Sequence, residues 1–214
     1  AEKEGYYILA PFGRSNTDFQ SIGEQDVFAA IDHFKRRYAV DESRIILVGI
    51  SMGGMGAWTI GVHYPHLFAG VLTVSGRADY YVWQGIARES VASYKQTLID
   101  AEFASTLLPN LKNTPVLCIH GSSDTVNPVK EARFIAEKAK GIIPGFTYIE
   151  IEGADHWLFE DVFSRKDTRK WILERRLTSP VEFEYITYHP RYNGSYWLAS
   201  SKFIQKAMPA KLSA

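Results

Sequence analysis

The chain has 214 residues, 46% of them apolar, which suits one domain with a buried core and excludes a disordered or fibrous protein. Its 24 basic and 24 acidic residues cancel, so no long-range field gathers nucleic acid or an anionic membrane surface. One cysteine excludes an intrachain disulfide and a thiolate metal site, and no apolar run reaches the length of a membrane span.

Residues 1–5 show neither an initiating Met nor a basic segment followed by an apolar one, so the expectation is a chain whose beginning has been cut. Tyr7-Ile8-Leu9-Ala10, halted by Pro11 and Gly13, reads as a buried strand. Ser21 and Glu24 have capping-box spacing, and Val27, Ile31, Phe34 and Tyr38 then recur on one helical face. Residues 44–49 are nearly all apolar and β-branched, the pattern of a strand covered on both faces of a parallel sheet. A helix with many small residues follows Gly53 and stops near Pro65. Further strands are expected at 69–74, 115–120, where Cys118 should be buried, and 146–151. A helix over 129–140 has Asn127 as its cap, Pro128 in its first turn and Gly141 past its end. The alternation predicts an α/β fold, a mostly parallel sheet with helices on both faces.

Two segments break the rhythm. Residues 77–114, with Tyr80, Tyr81 and Trp83, read either as a lid or pocket wall or as a plain helical connection. From Pro180 the tail alternates Val181, Phe183 and Tyr185, reaches Asn193-Gly194 and resumes at Tyr196-Trp197-Leu198, a hairpin signature. Asn193-Gly194-Ser195 is more simply that hairpin's turn than a glycosylation site. The expected division is a core over 1–178, with 77–114 as a lid insertion, and a β-hairpin tail or start of a β-rich appendage over 179–214.

The chemistry begins at Gly49-Ile50-Ser51-Met52-Gly53, a G-x-S-x-G directly after a strand and before a helix. Such a turn holds a serine hydroxyl clear of the sheet, and the helix N-terminus sets the Met52 N–H beside it as a donor to an oxyanion. A serine needs a base, and the base needs an orienting acid. His120-Gly121-Ser122-Ser123-Asp124 follows one strand and Gly153-Ala154-Asp155-His156 the next, so both loops emerge on the carboxyl edge of the sheet with Ser51. Of six histidines, His33, His63 and His66 lie on or beside helices, His189 lies in the tail, and His120 suits a structural hydrogen bond. His156 is left as the base. Asp124 is preferred to Asp155, because adjacent side chains in an extended segment point apart. Ser51, Asp124 and His156 are therefore the candidate catalytic residues.

Residues 49–54, with Val40-Asp41-Glu42-Ser43-Arg44-Ile45 before them, Tyr64-Pro65-His66-Leu67-Phe68-Ala69 after them and the later Asp124 and His156 segments, resemble α/β-hydrolases of the prolyl oligopeptidase-like and feruloyl-esterase-like group. The resemblance covers about residues 5–175. It implies hydrolysis of carboxylic esters or peptides without cofactor or metal, with Ser51, Asp124 and His156 in the triad positions and a small-molecule or carbohydrate-linked ester as substrate. It also favours an extracellular or periplasmic location. Residues 7–10 resemble the group's fourth strand. The group's three earlier strands, one of them followed by an HGG-type loop with a second oxyanion donor, have no counterpart here. The expected consequence is an apolar edge filled by an oligomer or second chain, or by re-pairing, or a piece of a longer protein. Trp83 and Trp157 are candidates to line the substrate pocket. A serine esterase is expected first, a prolyl oligopeptidase-like peptidase second, and a non-catalytic binding module third.

Overall fold

The computed structural model describes residues 5–202 and 209–214. Four strands, β1 (Ile46–Ile50), β2 (Gly70–Val74), β3 (Val116–Gly121) and β4 (Phe146–Ile151), lie side by side in chain order, all parallel. The crossovers between them carry helices: α2 (Met52–His63), then α3 (Tyr80–Gln84) and α4 (Ser93–Glu102), then α5 (Lys130–Ala139). Helix α1 (Ile22–Lys35) precedes the sheet, and α6 (Phe159–Ser164) and α7 (Lys166–Glu174) follow it.

Period-two alternation along the central strands divides the core between two faces. Val71, Val116 and Cys118 pack with Trp58 and Val62 of α2 and with Ala132, Ile135 and Ala139 of α5. Leu72, Val74, Leu117 and Ile119 face the other way, toward Leu158, Val162, Trp171 and Ile172. Val27 of α1 packs against Ile60 and Phe68. Helices thus cover both faces, and β2 and β3 are buried throughout.

Several local expectations are corrected. Strand β1 is an edge strand, covered only in part: it pairs only with β2 among the described residues, Leu47 and Ile50 pack on opposite faces, and Val48 is 39% exposed. Residues 7–10 form no strand, because no neighbour among the described residues offers them a ladder; Ile8 is 70% exposed and the Tyr7 ring rests against Phe34 and Tyr38. Ser21 precedes α1 at φ 51° without capping it, and Glu24 turns inward, where it accepts from the hydroxyls of Tyr64 and Tyr192. Helix α5 starts at Lys130, since Asn127 is drawn into the loop before it.

The tail holds two antiparallel pairs, β5 (Glu184–Thr187) with β8 (Ala210–Ser213), and β6 (Gly194–Ser195) with β7 (Leu198–Ala199). The tight turn of the second pair is Tyr196-Trp197, with Tyr196 at φ 52°, and Gly194 is already in a strand, so the turn does not fall at Asn193-Gly194. Phe183 and Tyr185 point inward while Val181 is exposed. The Tyr185 hydroxyl donates to the carbonyl of His63 at the end of α2, and Asn110 bonds both Val62 and Ile186. No described helix is long and apolar enough to cross a membrane.

Candidate active site

The turn from β1 into α2 is forced by contacts at two glycines. A Cβ on Gly49 would lie 1.8 Å from the Gly53 carbonyl oxygen, and one on Gly54 would lie 2.8 Å from the Cα of Gly76. Gly53 has room, its nearest neighbour being the Phe19 ring at 3.9 Å. The close fit at this turn therefore belongs to Gly49 and Gly54. Ser51 takes φ 56°, a left-handed conformation that a non-glycine residue holds only under surrounding constraint. Its N–H donates to Val74 and its carbonyl accepts from Met55, which fix the turn to β2 and to α2. Met52 is the first residue of α2, so its N–H makes no intrahelical bond.

The loops after β3 and β4 are joined to each other. The Ser123 N–H donates to the Ala154 carbonyl at 2.9 Å and the Gly153 N–H to the Ser122 hydroxyl at 2.8 Å. Gly121 lets them meet: a Cβ there would lie 2.4 Å from the Ala154 oxygen and 2.5 Å from that of Asp155.

At this junction the three sequence-selected residues come together. The His156 Nδ1–H donates to Asp124 Oδ2 at 2.8 Å, and the Ser51 hydroxyl donates to His156 Nε2, also at 2.8 Å. Roles follow from the partners: a carboxylate only accepts, so Nδ1 carries the proton and Nε2 offers its lone pair. Asp124 and His156 are buried, and Ser51 is half-buried. Asp155 is exposed and accepts the Trp157 N–H, so it is not part of the relay.

Around Asp124, sequence reasoning anticipated a structural hydrogen bond from His120 but missed the parts played by Val126 and Asn127. Its Oδ1 accepts the N–H groups of Val126 and Asn127 at 2.9 and 2.8 Å. Its Oδ2, besides His156, faces His120 Nε2 at 3.2 Å. His120 donates through that nitrogen to the Asn127 carbonyl at 2.7 Å, and its buried Nδ1 has no partner. Burial pushes its imidazole below the ordinary pKa, so it stands neutral, as a structural hydrogen-bonding group. The Asn127 amide donates to the Ser75 carbonyl at the end of β2. A polar residue three positions beyond Asp124 was the available signal, and a helix cap was the more familiar reading of it.

Residues 13–21 pack on α2, and Arg14, Ser15, Asp18, Phe19 and Ser21 among them all take positive φ. Phe19 packs on Gly13 and Gly56, and Asp18 pairs with Arg77 at 2.9 Å. The Arg77 guanidinium lies 3.9 Å from the centre of the Trp83 ring and 3.6 Å from Met55 Sδ. Trp83 is thus tied to the helix that follows Ser51, through Arg77. Trp157 stands directly against the relay, its ring perpendicular to the His156 imidazole at 5.3 Å. Glu131 of α5 is buried; its Oε2 accepts the N–H groups of Ala78 and Asp79, and burial pushes its carboxyl up to about 7.

Comparison with known proteins bears on the family and the fold. The model of the prolyl oligopeptidase family matches residues 17–173. The "Probable glutamyl endopeptidase, chloroplastic" of Arabidopsis thaliana is 31% identical over 101 residues, 47% of this chain and 10% of that protein. A thermostable esterase shares the fold with a TM-score of 0.58 and 22% identity, over 73% of this chain and 37% of the other. Porphyromonas gingivalis dipeptidyl peptidase 4 does so with a TM-score of 0.56 and 19% identity, over 71% and 22%. The chain spans about a tenth of the curated relative and between a fifth and two fifths of these two solved structures.

Proposed function

This chain belongs to the prolyl oligopeptidase family, and from that premise we propose that it is a serine hydrolase that cleaves carboxylic esters, with Ser51 as nucleophile, His156 as general base and Asp124 as the orienting acid. The observation that carries the proposal is one imidazole bonded through both nitrogens, to a serine hydroxyl and to a carboxylate, each at 2.8 Å. Ser51 Oγ attacks the acyl carbonyl carbon while its proton passes to His156 Nε2, and the carbonyl oxygen becomes an oxyanion facing the Met52 N–H. Collapse of the tetrahedral intermediate breaks the bond to the alcohol oxygen, which takes the proton from Nε2. Water then gives its proton to the same nitrogen and attacks the acyl-enzyme, so the carboxylic acid is released and Ser51 regenerated.

Esters come before amides on chemical grounds. An alcohol leaves more readily than an amine, so an ester makes the smaller demand on the relay and on the oxyanion donor beside it. Among the described residues the elbow offers the Met52 N–H for that purpose. A peptidase is the second reading, favoured by the 31% identity to the glutamyl endopeptidase. Ser51→Ala should abolish hydrolysis of p-nitrophenyl acetate and labelling by a fluorophosphonate probe at unchanged melting temperature. Surviving hydrolysis would remove Ser51 from the mechanism. A glutamyl p-nitroanilide cleaved faster than the corresponding ester would replace the esterase with the peptidase.

A further inference from the structure

We propose that Trp157 is the platform on which the alcohol portion of the ester lies, and that it selects aromatic leaving groups. The proposal rests on the serine hydrolase reading and adds the chemical class of the departing group.

Three observations carry it. First, the indole is 70% exposed, whereas Trp58 is 1% exposed in the core, so a large apolar surface is held in solvent directly beside the relay. Second, that surface is held in place. The ring stands perpendicular both to His156 and to Phe159, whose centroid is 5.6 Å away, and the backbone that carries it is held where the Trp157 main-chain N–H donates to Asp155 Oδ1 at 2.8 Å. An aromatic side chain already fixed by its neighbours loses little freedom when a ligand covers it. Third, the position fits one half of the substrate. The leaving oxygen must come within hydrogen-bond reach of His156 Nε2 to receive its proton, about 3 Å away. The indole centroid is 5.3 Å from that of the imidazole, so a ring one or two bonds from the leaving oxygen falls within stacking range of Trp157. Val126, two residues beyond Asp124 and 55% exposed, adds apolar surface on the loop bonded to the His156 loop.

The test uses acetyl esters that share one acyl-enzyme and differ only in the alcohol: phenyl, 2-naphthyl, cyclohexyl and ethyl. In Trp157→Ala the ratio of aryl to ethyl kcat/KM should fall about 10-fold, the scale of one aromatic pair, with the phenyl ester losing more than the cyclohexyl ester. Trp157→Phe should recover most of the ratio. The loss should sit in acylation, because the alcohol has left before water attacks. An equal fall for all four esters, or a slower hydrolysis of the common acetyl-enzyme, would overturn the proposal and make Trp157 a support for His156. An unchanged ratio would overturn it in favour of an indole that contacts another macromolecule. Fluorophosphonate labelling of Ser51 in the unaltered chain separates these outcomes from failure of the hydrolase reading itself.

Discussion

Replacing Gly121 with Ala tests whether the relay depends on how closely its two loops approach. The new Cβ would lie 2.4 Å from the Ala154 oxygen and 2.5 Å from the Asp155 oxygen, both backbone atoms that cannot rotate away. Gly121 does not have positive φ, so the substitution adds no backbone strain of its own, and contact alone decides the outcome. Relief requires the loops to separate by about 1 Å, which would stretch the Ser123–Ala154 and Gly153–Ser122 bonds beyond useful length. His156, one residue past Asp155, would move with its loop, and both 2.8 Å bonds of the imidazole would open. Misplacement of a catalytic group by about 1 Å costs on the order of 100-fold in rate, whereas overpacking costs about 1 to 3 kcal/mol of stability. For a chain of this size that is a fall in melting temperature of roughly 3 to 10 °C. Gly121→Ala should therefore remain folded at 25 °C while kcat/KM for p-nitrophenyl acetate drops about 100-fold and fluorophosphonate labelling slows in parallel. Activity within threefold of the parent at unchanged melting temperature would refute the claim that this contact sets the Asp124–His156 distance.

The two glycines of the G-x-S-x-G motif should behave differently: Gly49→Ala, with its Cβ 1.8 Å from the Gly53 oxygen, should not yield folded active protein, and Gly53→Ala should fold, gain up to about 1 kcal/mol in urea denaturation and keep its activity. For Glu131, whose folded pKa of about 7 lies above the ordinary 4.5, both states are protonated below about pH 4.5 and no penalty exists. Between 4.5 and 7 the unfolded chain ionises first, so stability falls as pH rises, and above 7 the whole cost of about 3 kcal/mol persists. Glu131→Gln escapes that cost, and its melting-temperature advantage should be small at pH 5 and large at pH 8; equal advantages would show that the carboxyl ionises normally. Asn110→Ala leaves the Val62 carbonyl and both backbone groups of Ile186 without partners and should cost about 3 kcal/mol in urea denaturation, with the activity of the folded fraction unchanged.

The parallel sheet was legible because its central strands are continuous apolar runs, and a buried strand needs nothing else from its own sequence. Residues 7–10 show where that signal ends. Their apolar run reports a capacity for burial, but a ladder also needs a neighbour, which lies elsewhere in the chain if anywhere. The tail turn was misplaced for a related reason. Asn-Gly is a good local turn, but Phe183 packs against both Tyr196 and Trp197, and the reversal falls three residues on.

The relay residues were legible because each combines a residue type with a place at a strand end. Their supports were not, because a close approach is a property of two segments and leaves no mark on either alone. Gly121 reads as one more loop glycine until the Ala154 carbonyl is set against it. Asn127 shows the conflict most plainly, since it cannot cap α5 and also bridge Asp124 to the end of β2. Its N–H goes to Asp124 Oδ1, its carbonyl to His120 and its amide to Ser75, and α5 begins three residues later with no side-chain cap. A good cap is worth about 1 kcal/mol to a helix. The bonds from Asn127 instead connect the ends of two neighbouring strands, β2 and β3, around one carboxylate, so the local preference yields to the position of Asp124.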